Sequence, residues 1–252
     1  MENMSFKSLT VFVLASKETD SLRKTVLEIR KNCNNEDLEK IIVVTKTADC
    51  PGYFEAVKMI EENFCDKLEV YVQRLENGIE CLIDLPGLVT GSHFVIMASD
   101  MEMDPENIRV FVKKAKEHPE RIICASKWMK GSTVEGCGGF HAFASYMTNK
   151  AIALLYGVKA TEPFSIYQIY PLSVFKRMNF NRPKYFMYEY TLKPLRAGVE
   201  YEEIPTKYKK RQEGKSTFNF PLVMLGMGMK FCITALRIRF TPKRYLNEEK
   251  PN

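Results

Sequence analysis

The chain has 252 residues and a formal net charge of +6, with 45% hydrophobic and 27% charged residues. These values are typical of a folded globular protein and exclude a disordered, collagen-like or coiled-coil chain. The charge is uneven: residues 205–252 hold 11 Lys/Arg against 3 Asp/Glu, a net of +8, and residues 1–204 hold 26 against 28, a net of −2. A basic C-terminal region favours phosphates of nucleotides, lipids or nucleic acids.

Short apolar runs alternate with amphipathic stretches along the first 125 residues. The runs predict buried strands, and the stretches predict helices. In chain order we expect strand Leu9–Ala15, helix Ser21–Lys31, strand Ile41–Val44, helix Tyr53–Phe64, strand Leu68–Val72, a helical stretch Gly78–Leu88 interrupted near Pro86, strand His93–Ala98, helix Pro105–Lys116, strand Arg121–Ala125, helix Ala142–Tyr156 and strand Ser165–Tyr170. This order predicts a doubly wound, mostly parallel α/β sheet flanked by helices. Ligands of such sheets bind beyond the carboxyl ends of the strands.

An acidic cluster, residues 100–106, follows the predicted strand His93–Ala98. Asp100 and Glu102 are two positions apart, so an extended backbone would point both carboxylates the same way. They could share one Mg²⁺ or Mn²⁺ ion, which could bridge a diphosphate. Asp104 and Pro105 fit the start of a helix instead, as N-cap and first helical residue.

Several common site patterns are missing. The sequence has no G-x-G-x-x-G after the first strand, no P-loop and no G-x-S-x-G elbow, which argues against a dinucleotide-dependent dehydrogenase, a P-loop enzyme and an α/β-hydrolase. Its seven cysteines form no C-x-x-C pair and are expected as free thiols of a cytosolic protein. The near-neutral first 204 residues argue against a nucleic-acid partner.

Several short motifs occur in an order that resembles family-2 glycosyltransferases of the GT-A fold. The closest likeness is to the polyprenyl-phosphate (dolichyl-phosphate) mannose and glucose synthases. The matching segments are Leu9–Glu18, Ile41–Asp49, Asn77–Gly91, the acidic cluster with its D-x-D-like pair, Ser126–Gly131, Ser145–Asn149, Glu162–Gln168, Glu189, Glu203–Pro205 and Arg211–Ser216. The resemblance implies a GT-A (Rossmann-like) domain over residues 1–217.

By this resemblance the protein is an inverting, metal-dependent glycosyltransferase. It would move a sugar from a nucleotide-diphosphate sugar to a polyprenyl phosphate or a glycan acceptor. The implied catalytic residues are Asp100, Glu162 and Arg211, with Glu189 as another candidate base if the acceptor is a sugar hydroxyl. The implied binding residues are Glu18, Asp49, Asn77 and Asp100 for the nucleotide sugar, Arg211, Gly214, Lys215, Ser216 and Gln168 for the acceptor or phosphate, and Asp100 and Glu102 for the Mg²⁺ or Mn²⁺ ion.

Some positions depart from the family pattern. Thr45 and Lys46 stand where the family has two acids, Ala98 replaces the first acid of D-x-D, and Gln168 replaces an arginine. A catalytically impaired nucleotide-binding or scaffold protein of the same fold is therefore an alternative. A nucleotidyltransferase is another, although it would need a Gly- and Arg-rich loop after the first strand, which residues 16–20 do not provide.

Residues 218–252 form a separate C-terminal segment that is first apolar and then basic. Its longest uncharged run has 12 residues, too few to cross a bilayer. The pattern predicts either an amphipathic segment on an anionic membrane surface or a helix packed on protein, including a second copy of the chain. We expect a cytoplasmic protein that is peripheral at the inner face of the membrane.

Overall fold

The computed structural model describes residues 5–74, 80–136, 139–180, 185–213 and 221–246. A seven-stranded sheet with the order β3-β2-β1-β4-β7-β5-β8 forms its centre, and a two-stranded sheet pairs β6 with β9. The strands are β1 Leu9–Ala15, β2 Leu38–Thr45, β3 Leu68–Val72, β4 His93–Ala98, β5 Ile122–Ser126, β6 Thr133–Val134, β7 Gln168–Pro171, β8 Tyr201–Pro205 and β9 Lys207–Tyr208. Strands β1 to β4 are mutually parallel, and β7 is antiparallel to both β4 and β5. The predicted mostly parallel α/β sheet is confirmed.

Seven α-helices flank the sheet in the described part of the chain. They are α1 Asp20–Asn32, α2 Pro51–Glu61, α3 Asn107–Glu117, α4 Gly139–Tyr156, α5 Leu172–Lys176, α6 Phe186–Ala197 and α7 Pro221–Phe240. The described part of the predicted helical stretch up to Leu88 instead forms two 3₁₀ turns, Glu80–Ile83 and Leu85–Leu88. Pro86 lacks the N–H that a continuous α-helix would need there.

The predicted start of α3 is wrong by two residues. The structure begins this helix at Asn107, with Glu106 in the N-cap position. Asp104 still acts at this end, because its Oδ1 accepts a hydrogen bond from the Glu106 N–H at 3.4 Å. The side chain caps the turn that precedes the helix rather than its first turn.

Alternating residues of the central strands bury two separate cores. Val11 and Val13 of β1 face the core packed under α1, α2 and α3, whereas Phe12 faces the core packed under α6. Side chains of a strand alternate between faces, so a strand buried on both sides is apolar throughout. This is why polar and apolar residues do not alternate along Leu9–Ala15.

A third apolar cluster holds α7 against the body. Phe231, Ala235 and Ile238 of α7 are buried with Ile152 of α4 and Leu192 of α6. One side of α7 is therefore packed on protein, as one of the two sequence interpretations expected. The division of the chain at residue 217 stays a prediction.

The close approach at Gly91 gives a stability prediction. A Cβ at Gly91 would lie 2.8 Å from the carbonyl oxygen of Ser8, whereas a Cβ at Gly87 would meet nothing within 4 Å. We expect Gly91→Ala to lower the free energy of unfolding by about 1–3 kcal/mol, because the backbone of Ser8, just before β1, must move. Gly87→Ala is the control and should change it by less than about 1 kcal/mol. Urea unfolding measures both, and equal midpoints would contradict the packing described here.

Candidate functional site

Three predicted site residues lie just beyond the carboxyl ends of β1, β2 and β4. These strands are parallel neighbours, so their carboxyl ends share one edge of the sheet. Glu18 follows β1 and accepts hydrogen bonds from the N–H groups of Ser16 and Lys17 at 2.8 and 3.0 Å. Asp49 follows β2 and is exposed, and Asp100 follows β4 and is buried. The strand order reverses between β1 and β4, which is where open α/β sheets bind ligands.

The backbone from Asp100 to Glu102 makes a tight turn, and the extended backbone expected from the sequence is wrong. Met101 has a left-handed conformation with φ of 62°. The Glu102 N–H donates to Asp100 Oδ1 at 3.0 Å, which closes an Asx-turn. A non-glycine residue held in this conformation costs on the order of 1–3 kcal/mol, and such residues cluster at ligand sites.

Asp100 and Glu102 converge on the guanidinium group of Arg211. Arg211 Nη2 lies 3.0 Å from Asp100 Oδ2 and 3.2 Å from Glu102 Oε2. The Tyr208 hydroxyl also donates to Glu102 Oε2 at 3.0 Å. A single nitrogen thus contacts both carboxylates, so the turn aims the two groups at one cation. The structure brings together three residues that the sequence analysis assigned to metal and phosphate binding.

The whole acidic cluster is paired with a basic segment, residues 207–213. Backbone N–H groups of Lys209 and Gln212 donate to the carbonyl oxygens of Glu102 and Asp100, both at 3.0 Å. The alternate side chains from Lys207 to Arg211 then each meet an acid. The ion pairs are Lys207–Glu106 at 3.1 Å, Lys209–Asp104 at 3.3 Å, and Arg211 with Asp100 and Glu102. The described basic segment is therefore held against the acidic cluster rather than free in solvent.

Glu213 anchors the end of the basic segment to the N-terminus of α1. Its Oε2 accepts hydrogen bonds from the Thr19 and Ser21 N–H groups at 2.9 and 3.0 Å and from the Ser21 hydroxyl at 2.8 Å. Burial opposes ionisation, yet these donors hold the pKa of Glu213 below its usual value. The helix N-terminus, where N–H groups lack partners, is thus capped by a distant carboxylate.

Burial raises the pKa of Asp100 as well, and here it outweighs the groups that lower the pKa. Its side chain is 3% exposed, and burial raises its pKa. The Coulombic attraction of Arg211 opposes this rise. A buried carboxylate of this kind needs a cation nearby to stay charged.

Glu162 occupies a second buried position on the other side of Tyr208. Its Oε2 accepts the Lys127 N–H at 2.7 Å, and Lys127 Nζ lies 3.1 Å from Oε1. The same ammonium lies 4.9 Å from the centre of the Tyr208 ring. Burial raises the pKa of Glu162, and Lys127 opposes that rise. Tyr208 and Lys127 therefore connect Glu102 to Glu162.

Hydrogen bonds from two other elements position the chain around Glu162. Glu203 of β8 accepts the N–H groups of Thr161 and Glu162 at 2.7 and 2.6 Å. Asn149 of α4 accepts the N–H of Phe164 at 3.0 Å. The Ser145–Asn149 and Glu203–Pro205 motifs thus support the candidate base.

A cavity of about 160 Å³ lies between Glu162 and the basic segment. Its lining includes the polar side chains of Lys127, Glu162, Ser165, Thr206 and Tyr208. Apolar groups, among them Met103 and Phe164, complete the wall. A space with a few convergent polar groups beside apolar walls is the usual form of a small-molecule subsite.

Other predicted site residues lie elsewhere or outside the described residues. Gln168 is buried in β7 opposite Cys124, and it is not among the residues that line the cavity. Glu189 is buried and paired with Lys193 at 2.9 Å and Arg237 at 3.1 Å, an ion network that ties α6 to α7. Four predicted residues fall outside the described residues, namely Asn77, Gly214, Lys215 and Ser216.

Sequence reasoning missed the roles of Lys127, Tyr208 and Glu213. Lys127 lies in the quoted Ser126–Gly131 motif, and the other two lie in the basic stretch. For Glu213 the available signal was alternation, because in an extended segment it shares a side with Lys207, Lys209 and Arg211. Their partners are distant in the chain, and no local pattern identifies them.

Within the described residues, no group of three or more His, Cys, Asp or Glu side chains could hold a metal ion. Two carboxylates that already share one cation still fit Mg²⁺ or Mn²⁺, since such ions are often held by one or two carboxylates together with substrate phosphates. Asp100 and Glu102 are the residues that would hold it. A divalent ion there would compete with Arg211.

The strand order, the mutually parallel β1 to β4 and the flanking helices make this the GT-A, Rossmann-like α/β fold. No protein-family model matches the chain. Crystal structures of glucosyl-3-phosphoglycerate synthase from Mycobacterium tuberculosis share the fold. Its complex with Mn²⁺, UDP-glucose and phosphoglyceric acid has a TM-score of 0.66 at 14% identity, over 94% of this chain and 81% of that chain. Its UDP complex has a TM-score of 0.66 at 14% identity, over 97% and 87%.

The Glu213 anchor can be tested by substitution. We expect Glu213→Ala to lower the free energy of unfolding at neutral pH by about 1–2 kcal/mol, the usual effect of losing a helix cap. The difference from wild type should shrink as the pH falls through the depressed pKa of Glu213, because the protonated side chain no longer stabilises the fold. Chemical denaturation at several pH values measures this.

Gln212→Ala is the matched control on the same segment. Gln212 is exposed, and its side chain accepts one hydrogen bond, from Lys24 at 3.2 Å. Trypsin should cut the basic segment faster in Glu213→Ala than in Gln212→Ala. Equal stability and equal cleavage would contradict the anchoring role.

Proposed function

We propose that the protein is an inverting glycosyltransferase that moves a sugar from a nucleoside-diphosphate sugar to a phosphate-bearing acceptor. The observation that carries the proposal is the convergence of Asp100 and Glu102 on one cation at the switch point of a GT-A fold. The complexes of the M. tuberculosis synthase with Mn²⁺, UDP-glucose and phosphoglyceric acid support the same reaction class.

Asp100, Glu102 and Arg211 would serve the leaving diphosphate. A divalent ion bound by the two carboxylates would neutralise the charge that develops on the leaving phosphate. Arg211 is 3.0 Å from Asp100, and once released from that pair its planar guanidinium suits bidentate phosphate contact. Glu18 and Asp49 would lie on the nucleotide side, since both follow neighbouring strands of the same edge.

The acceptor determines whether Glu162 acts as a base. A lipid phosphate offers an anionic oxygen, which needs no strong base for attack. A sugar hydroxyl of a glycan needs one, and Glu162 lines the cavity with Lys127 beside it. We favour a polyprenyl phosphate or another phosphate monoester, with a glycan as the other acceptor class.

A catalytically impaired nucleotide-binding protein is the second candidate. It is favoured by the pairing itself, because Arg211 already pairs with both carboxylates. Ala98, Thr45 and Lys46 also leave fewer acids at this edge than the family pattern has. In that case nucleotide would bind, but no sugar would leave the donor.

Asp100→Asn tests the proposed donor site. We expect wild type to bind a nucleoside-diphosphate sugar more tightly with Mn²⁺ than without it in calorimetry over a panel of nucleotides. Asp100→Asn should lose that difference and reduce transfer by about 100-fold or more, the usual scale for losing one charge-stabilising group. Asp66→Asn, at an exposed pair with Arg30, is the control and should behave as wild type. Normal transfer by Asp100→Asn would refute the proposed site.

The pH dependence of transfer tests the role of Glu162. If Glu162 is the base, activity falls as the pH drops through its raised pKa, because the base must be ionised. Lys127→Met removes the cation that opposes the rise, so the acid limb of the kcat/KM profile should move to higher pH. Lys127→Arg keeps the charge and should restore the wild-type limb. An unchanged profile in Lys127→Met would exclude Glu162 as the base and favour an anionic acceptor.

A further inference from the structure

Most exposed large apolar side chains of the described chain lie on two helices. Twelve such side chains are exposed, and eight of them belong to α4 and α7. They are Phe143, Tyr146, Met147 and Leu154 on α4 and Met229, Ile233, Leu236 and Phe240 on α7. Soluble monomers rarely expose concentrated apolar surface without a function for it.

These residues follow helical spacing and so form stripes. On α7 the exposed positions 229, 233, 236 and 240 share one side, while Phe231, Ala235 and Ile238 are buried on the other. On α4 the positions 143, 147 and 154 share a side with the exposed Lys150. A helix that is apolar on both sides fits burial on one side and a lipid or protein surface on the other.

The two helices touch, and we call their two exposed stripes together the α4–α7 face. The Tyr156 hydroxyl donates to the carbonyl oxygen of Ala235 at 2.8 Å. Arg239 Nε donates to the carbonyl oxygen of Leu155 at 2.7 Å. Within the described residues, no helix is long and apolar enough to span a bilayer.

The positive charge of the α4–α7 face favours an anionic partner. Neither helix contains an Asp or a Glu, whereas Lys150, Lys230, Arg237 and Arg239 lie on them. Arg237 is used internally in its ion pair with Glu189, but Lys150 and Lys230 are exposed. A second copy of the same face would bring like charges together, whereas anionic lipid headgroups complement it.

We propose that the α4–α7 face binds the surface of an anionic lipid bilayer, with its apolar stripes in the interface and its lysines on the headgroups. Phe231 of α7 packs on Phe164 with ring centres 4.5 Å apart, and Phe164 lines the cavity beside Glu162. If the proposed function holds, a lipid-linked phosphate acceptor would reach the site from this side. The membrane contact itself does not depend on catalysis.

Vesicle sedimentation with the full chain tests the contact. Wild type should bind phosphatidylcholine–phosphatidylserine vesicles more tightly than pure phosphatidylcholine vesicles, and added salt should weaken the binding. The double variant Leu154→Ser with Ile233→Ser should bind about tenfold or more weakly, as expected from the transfer free energy of such side chains. Phe54→Ser with Ile60→Ser, on exposed positions of α2, is the matched control and should bind as wild type.

The outcomes are distinguishable from those of the transferase test. Asp100→Asn should still bind vesicles, and binding should need neither nucleotide nor metal. The proposal would be overturned if wild type did not bind anionic vesicles. It would also be overturned if the double variant, with a circular dichroism spectrum that matches wild type, bound the vesicles as tightly as wild type. Sedimentation velocity that shows a dimer lost in the same variant, without vesicle binding, would assign the face to self-association and also overturn it.

Discussion

The pairing of the acidic cluster with the basic segment is the interaction on which the candidate site depends. Asp100 and Asp104 are buried, and buried carboxylates without partners are costly. The cations come from a segment about a hundred residues later, which must return to the carboxyl edge of the sheet to meet them. That return brings Glu213 to the N-terminus of α1 and places Tyr208 and Arg211 beside Glu102. The need to pair these buried carboxylates with cations therefore explains why residues 207–213 lie over the carboxyl edge of the sheet.

The same pairing connects structure to the proposed chemistry. Asp100 and Glu102 share one cation at 3.0 and 3.2 Å, so a divalent ion and the Arg211 guanidinium compete for one place. In the proposed reaction, an Arg211 side chain that left the two carboxylates would lie beside the diphosphate of the nucleotide sugar. The bound metal ion would contact the same diphosphate. The left-handed Met101 holds this geometry at a cost in conformational energy, which is common where a ligand site is preorganised.

The candidate base and the proposed membrane surface meet at one short segment. Residues 161–164 are held by Glu203 and Asn149, and Phe164 packs on α7. The cavity beside Glu162 thus lies next to the helix whose outer side is apolar and basic. In the proposed function, the phosphate of a lipid-linked acceptor would lie in the cavity, and its lipid chain would extend towards α7.

The sequence by itself determined the parallel strands β1 to β4 and the acidic cluster, because both are local patterns. Continuous apolar runs predict strands buried on two faces, and β1, β3 and β4 have the predicted bounds. Motif order also indicated the GT-A fold. Only the tertiary structure decided the turn at Met101, the pairing of residues 207–211 with the acids, and the contact of Lys127 with Glu162. These depend on groups far apart in the chain, and hydrophobic periodicity carries no information about which distant charge a side chain meets.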